Sequence, residues 1–310
     1  MKKASYGSVR LGQRRRIGQS GICKGDKEKM MCNKNTKVWF VTGTGKGIGK
    51  AIVKAILKNG DCVIATARNP EEIGVPSEYQ NRVMTAQLDI SCPDETIYAD
   101  VVRKGLEKFG QIDFLVNNAG FGSITNFEET SEKTIRDIFE VNLFGLMRVT
   151  RAILPIMRRQ RSGHIFNIAS AAGYSAGPVP YHTSKFAVTG FSTSLAFEVA
   201  PFGIRVTNVA PGLFRTNFYD KGRWGTEPDF PISDYDSCRW QTEFVANAQK
   251  KEQPGNPDKL AELLIEVAYS ENPPLHLAIG EDAPAVMDAY CDKLKSDTDM
   301  WREKAVKTGF

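Results

Sequence analysis

The chain has 310 residues, of which 41% are hydrophobic and 25% charged, a composition that fits a globular protein with a sizeable core. No apolar run approaches the roughly 18–20 residues needed to cross a bilayer, so a membrane-spanning role is excluded. The net charge of +5 is local: residues 1–36 hold ten of the 41 basic residues and two of the 36 acidic ones, leaving 31 against 34 for the remainder. The body is thus mildly acidic and offers no basic face to a nucleic acid.

In chain order, residues 1–36 come first. They are basic, without helical or alternating periodicity and without the apolar core of a secretory signal. The expectation is a disordered extension. An Arg-rich, acid-poor start also suits an organelle transit peptide, and translation from Met30 or Met31 is a third reading. Six scattered cysteines (Cys23, Cys32, Cys62, Cys92, Cys238, Cys291) have no C-x-x-C spacing and read as reduced thiols of a cytoplasmic protein. The three histidines (His164, His182, His276) are far apart in sequence, so no metal site is expected.

Lys37–Val41 is a short apolar run, as expected for a strand buried on both faces. Thr42-Gly43-Thr44-Gly45-Lys46-Gly47-Ile48-Gly49 follows it. Ile48, Ile52, Ala55 and Ile56 then recur at helical spacing up to the stop signal Asn59-Gly60. A second apolar run, Cys62–Thr66, completes a strand, glycine turn, helix and strand. That unit holds a dinucleotide, with glycines letting the backbone approach the pyrophosphate and the helix N-terminus meeting its charge. Versions that bind NAD carry an acid at the end of the second strand for the ribose 2′-hydroxyl. This strand instead ends Thr66-Ala67-Arg68-Asn69. Arg68 and Lys46 lie where a 2′-phosphate would meet positive charge, so the expected cofactor is NADP(H) rather than NAD(H).

Further runs at 83–88, 112–116, 163–169, 204–209 and 275–279 alternate with helical stretches. The expected fold is α/β: a Rossmann-type, doubly wound parallel sheet of about seven strands with helices on both faces. The expected organisation is 1–36 as the extension, 37–280 as the NADP-binding catalytic domain, and 281–310 as a C-terminal helical extension. A substrate lid is expected at about 213–255.

The spacing T-G-x-x-x-G-x-G at Thr42–Gly49 is joined, in order, by Leu88-Asp89-Ile90, Asn117-Asn118-Ala119-Gly120 and Asn142. Ser170, Tyr181-x-x-x-Lys185 and Pro211-Gly212 follow. Over about 37–280 the chain resembles the short-chain dehydrogenase/reductase family in its single-domain branch. The resemblance implies hydride transfer between NADP(H) and a small-molecule carbonyl or secondary alcohol, in a homodimer or homotetramer paired through helices near 131–158 and 182–200. It also implies contacts from Gly43, Thr44, Gly45, Gly47 and Ile48 to the pyrophosphate end, and from Lys46, Arg68, Asp89, Ile90, Asn117, Ala119 and Gly120 to the adenosine end. Tyr181, Lys185, Pro211, Gly212 and Thr216 are implied around the nicotinamide and its ribose.

For the chemistry, a free phenol with a pKa near 10 is a poor base at neutral pH, and a nearby ammonium lowers that pKa. Tyr181 and Lys185, four apart, share one helix face, which suits Tyr181 as acid–base and Lys185 as its pKa-lowering partner. Ser170, at a strand end, suits stabilisation of charge developing on the substrate oxygen. By resemblance Asn142 holds a water that relays protons to Lys185. Ser170 and Tyr181 are eleven residues apart where the family more often has about thirteen, so the intervening loop, expected to line the substrate pocket, is short. The segment after Thr216 is rich in aromatic residues: Phe218, Tyr219, Trp224, Phe230, Tyr235, Trp240 and Phe244 follow Phe214. A lid over a hydrophobic substrate and simple packing of rings both fit it. Two rival readings remain. A non-catalytic NADP(H) sensor would ordinarily lack the tyrosine or the lysine, and a sugar-nucleotide epimerase or dehydratase would need a larger C-terminal domain.

Overall fold

The first strand, β1 (Val38–Thr42), and the second, β2 (Cys62–Ala67), are buried along their whole length, which is why neither shows polar alternation. The computed structural model describes residues 36–219, 224–225, 227–238, 247, 250 and 252–310. The expected N-terminal extension and much of the expected lid lie outside them. The described body falls in one unit spanning Met31–Phe310.

Helix α1 (Gly47–Lys58) links β1 to β2 and is followed by β3 (Val83–Gln87), α2 (Glu95–Phe109) and β4 (Phe114–Asn117). A short strand β5 (Gly122–Ser123) precedes α3 (Glu132–Phe139), a π-helical turn over Glu140–Gly145, α4 (Leu146–Gln160) and β6 (Gly163–Ile168). The rest comprises α5 (Val179–Val199), β7 (Ile204–Pro211), β8 (Trp224–Gly225), α6 (Pro257–Tyr269), β9 (His276–Ile279) and α7 (Ala283–Ala305). Local chemistry sets the ends. Asp94 accepts from the Thr96 N–H to cap α2, and Gly110, at φ 83°, closes it in the left-handed conformation.

Seven strands form one parallel sheet in the order β3-β2-β1-β4-β6-β7-β9, and β5 pairs separately with β8. The seven fall where the apolar runs placed them. Side chains alternate between two cores. Trp39, Val41, Val63 and Phe166 meet Ile52 and Ile56 of α1 and Leu260 and Leu264 of α6. Phe40, Ile64, Leu115 and Ile165 meet Val101 of α2, Val149 and Ile153 of α4 and Leu195 of α5. Each fully buried aliphatic or aromatic side chain contributes about 1.5–3 kcal/mol by leaving water. The chain order reverses between β1 and β4, and the crevice at their carboxyl ends is where such a sheet takes a ligand.

One reading of the sequence needs amending. Cys92 and Cys291 are free thiols, but Cys62 is disulfide-bonded, so the reading of six reduced cysteines fails at that position. Among the described residues no helix is long and apolar enough to cross a membrane, and no cluster of His, Cys, Asp or Glu could hold a metal.

His164, completely buried in β6, bonds Thr207 Oγ1 through Nε2 at 2.9 Å and packs at a tilt against the Phe166 ring. Burial, reinforced by the Arg205 charge, pushes its pKa down to about 3. The unfolded chain protonates it near pH 6.5. Its stabilising share is therefore complete above that pH and is lost as pH falls toward 3. Between pH 7 and pH 5 the loss is about 2 kcal/mol. Denaturant midpoints at the two pH values should fall more for the wild type than for His164→Asn. Equal losses would refute this account.

Candidate active site

The crevice is a cleft of about 950 Å³ running from the β2–β3 side of the sheet, past the glycine turn, to the N-terminal end of α5. At its centre β1 and β4 are stitched together. Thr42 Oγ1 accepts from the backbone N–H groups of Asn118 and Ala119 at 3.0 and 3.1 Å. Asn118 Nδ2 donates to the carbonyls of Thr42 and Gly43 at 2.9 and 3.0 Å. This closeness requires glycine. Gly43 has φ +70°, and a Cβ there would lie 2.8 Å from Ala119 Cα. A Cβ at Gly49 would meet the Gly43 carbonyl oxygen at 2.3 Å. The first turn of α1 carries no acidic residue, which leaves its positive end available to an anion.

Gly43, Gly45, Lys46, Gly47 and Ile48 border the cleft, with Arg68, Asp89 and Ile90 at the β2–β3 end. Ala119, Gly120, Ser170, Tyr181, Lys185, Pro211, Gly212 and Thr216 border the other end. Three expected residues do not. Thr44 is buried and bonds the Thr66 carbonyl through Oγ1. Asn117, the last residue of β4, faces the core, where Nδ2 donates to Thr150 Oγ1 and Asn167 Oδ1, both at 2.9 Å. Strand alternation decides this: Asn118, not Asn117, turns toward the cleft. Asn142 sits one layer back in the π-helical turn, a feature that recurs at functional sites. Its Oδ1 accepts from the Phe121 N–H, and its Nδ2 donates to the Phe121 carbonyl and to Ser184 Oγ.

Ser170, Tyr181 and Lys185 converge. Tyr181 is 9% exposed and Lys185 6%, and Lys185 Nζ lies 5.7 Å from the centre of the Tyr181 ring. Among the described residues Nζ meets a single acceptor, the Ile168 carbonyl at 3.0 Å, although an ammonium has three N–H donors. A buried cation so lightly partnered fits a site that receives further hydroxyl acceptors from a ligand. Burial pushes the Tyr181 phenol up to about 12, against a lowering by its hydrogen bond with Ser170, and brings Lys185 down to about 8. Burial thus raises the phenol in place of the expected lowering by the ammonium, which is not among the causes acting on Tyr181, and it weakens the lysine's own charge.

The short loop between Ser170 and Tyr181 does not line the cleft. Ala172, Gly173 and Tyr174 are buried, and His182 Nδ1 holds the Ser175 carbonyl at 2.8 Å. Of the aromatic segment, Phe214 and Phe218 border the cleft while Phe230 is exposed. The rings of Tyr219, Trp224, Trp240 and Phe244 lie outside the described residues. Glu72 and Phe121 also line the cleft; neither carried a motif that would have singled it out.

The comparisons agree with this geometry. Residues 37–224 match the model of the short chain dehydrogenase family. The chain belongs to that family. Oxidoreductase BOA17 of Botryotinia fuckeliana is 37% identical over 274 residues, covering 86% of this chain and 97% of that protein. A short-chain dehydrogenase from Streptomyces avermitilis superposes with a TM-score of 0.80 at 37% identity, covering 89% of this chain and all of that one. Two other structural neighbours hold cofactors. ElxO with NADP bound has 28% identity and a TM-score of 0.64, covering 79% and 97% of the two chains. The 3-ketoacyl-(acyl-carrier-protein) reductase of Brucella melitensis, complexed with NADH, has 25% and 0.63, covering 78% and 96%. This short-chain dehydrogenase is therefore an oxidoreductase acting on CH–OH groups with a nicotinamide dinucleotide.

Proposed function

We propose that the protein is an NADP(H)-dependent reductase of hydrophobic carbonyl compounds, or the corresponding secondary-alcohol dehydrogenase, with Tyr181 as its acid–base. The observation that carries this reading is the convergence of Ser170, Tyr181 and Lys185 at one end of a cleft whose other end holds the glycine turn, Lys46 and Arg68. Gly43, Gly45, Gly47 and Ile48 would hold the pyrophosphate, and Lys46 would reach toward the adenosine ribose. Arg68, Asp89 and Ile90 would face the adenosine, and Ala119 and Gly120 the passage between the halves. Pro211, Gly212 and Thr216 would bound the nicotinamide.

When bound there, a reduced nicotinamide would supply the hydride that the carbonyl carbon accepts. The remaining work falls to the chain. Ser170 Oγ donates to the carbonyl oxygen and stabilises the charge growing there. Tyr181, protonated at neutral pH because burial holds its pKa near 12, delivers its proton to that oxygen, and the product is the alcohol. Lys185 stabilises the phenolate left behind and, from behind Gly120, Asn142 positions the route by which Tyr181 is reprotonated. Phe121, Phe214 and Phe218 give that end of the cleft the apolar wall that favours a hydrophobic substrate. A homodimer or homotetramer belongs to the same reading, and Phe144 and Phe197, both exposed, offer apolar surface for it.

The test follows NADPH and NADH oxidation against aldehydes, ketones, quinones and steroid-like carbonyls. Turnover with NADPH preferred is expected. Its reductive kcat should stay level from about pH 6 and fall as pH rises through about 8, where Lys185 loses its proton. Binding of both cofactors with no turnover across the panel would overturn the catalytic reading, and faster turnover with NADH would overturn the NADP(H) assignment.

A further inference from the structure

The end of β2 has no acid, yet the cleft beside it is bordered by two, Asp89 and Glu72. Glu72 borders the cleft with its carboxylate Oε2 3.5 Å from Lys46 Nζ, and both side chains are partly exposed, at 40% and 45%. Lys46 is one of the two cations available to a 2′-phosphate. The other, Arg68, has no carboxylate within ion-pair distance among the described residues.

The position of Glu72 is built rather than incidental. It lies on a single 3-10 turn, Pro70–Ile73, fixed at one end by Asn69 Oδ1, which accepts from the Glu71 N–H at 3.2 Å. At the other end Ile73 is buried in the core under α1. With Ile73 pointing inward, Glu72 is directed over the glycine turn. Gly45 leaves the room. Its φ is outside the left-handed region, so its conformation alone does not demand glycine. A Cβ there would, however, lie 3.1 Å from Glu72 Oε2 and 3.3 Å from Glu72 Cβ.

We infer that Glu72 is a specificity-determining residue that sets the balance between phosphorylated and unphosphorylated dinucleotide. The inference rests on the reading that Lys46 and Arg68 face the adenosine ribose. Glu72 ties Lys46 away from a 2′-phosphate and repels that group's own negative charge, so the preference for NADP(H) is held below what two cations would otherwise give. Removing the carboxylate frees Lys46 and removes the repulsion, which strengthens binding of the doubly charged 2′-phosphate.

The experiment is direct titration of NADPH and NADH by fluorescence into wild type, Glu72→Gln and Glu71→Gln, at low and at high ionic strength. Glu71 is exposed on the same turn but does not border the cleft, so its variant controls for a general change in charge. For Glu72→Gln, the ratio of NADPH to NADH affinity is expected to rise about 3- to 10-fold at low salt and to shrink toward the wild-type value at high salt. For Glu71→Gln it should change less than about 2-fold. A ratio unaltered in Glu72→Gln, or raised equally in both variants, overturns the inference. Failure of the underlying reading shows separately: if wild type binds NADH more tightly, the NADP(H) assignment falls while the shift on removing Glu72 still judges this residue.

Discussion

Replacing Tyr181 by Phe is expected to lower kcat for carbonyl reduction by about 10²- to 10⁴-fold, the usual contribution of a positioned general acid. The ring itself is held by Ile124, Ala172 and Phe218, and phenylalanine preserves those contacts. Cofactor affinity and melting temperature should therefore change little, and the loss should fall on kcat rather than on binding. Burial keeps the phenol protonated at neutral pH, ready to give its proton in reduction, and the same oxygen must take the proton in oxidation, so the deficit should appear in both directions of the reaction. Steady-state kinetics beside a cofactor titration distinguishes the outcomes. Wild-type kcat in the variant would remove Tyr181 from the chemistry, and loss of cofactor binding would make its role structural.

Gly43→Ala is the second large effect, and it should act on cofactor affinity and stability together. At φ +70° an alanine costs about 1 kcal/mol from backbone conformation alone. The added Cβ would also stand 2.8 Å from Ala119 Cα. That neighbour is backbone, held by the bonds from Asn118 and Ala119 to Thr42, so relief requires parting the ends of β1 and β4. A stability loss of about 2–3 kcal/mol is expected, with cofactor affinity down about 10- to 100-fold because the turn moves away from the anion. Gly60→Ala is the control. Gly60 also has positive φ, +94°, but nothing lies within 4 Å of the added methyl. It should cost about 1 kcal/mol and leave cofactor binding intact. Equal effects of the two substitutions, by denaturation and titration, would show that the close approach to Ala119 is unimportant.

The strands were legible because both faces of the sheet are covered. Val38–Thr42 and Cys62–Ala67 are buried residue by residue, and a continuous apolar run is the direct imprint of that environment. The glycine turn was legible for a related reason: helix, strand and neighbouring strand end crowd it so closely that several positions tolerate no side chain. Spacing along a helix placed Tyr181 and Lys185 on one face, since four residues make about one turn.

Other parts of the site depend on what faces what across the sheet. Asn117 and Asn118 are adjacent and chemically identical, and only the pleat at the end of β4 sends one into the core and the other to the cleft. The upward direction of the Tyr181 pKa shift was not legible from proximity alone, because desolvation depends on everything packed around the ring. Glu72 carried no motif at all.

Residue order by itself determined the alternation of strands and helices, the dinucleotide turn and the family, because periodicity and glycine spacing are written locally. Tertiary structure alone decided which polar groups meet in the cleft. Glu72 comes to lie beside Lys46, 26 positions earlier, and Ser170 and Lys185 come together. The physical reason is that hydrogen bonding, desolvation and ion pairing act over a few ångströms of space, and the packing of distant elements, not neighbouring residues, sets those distances.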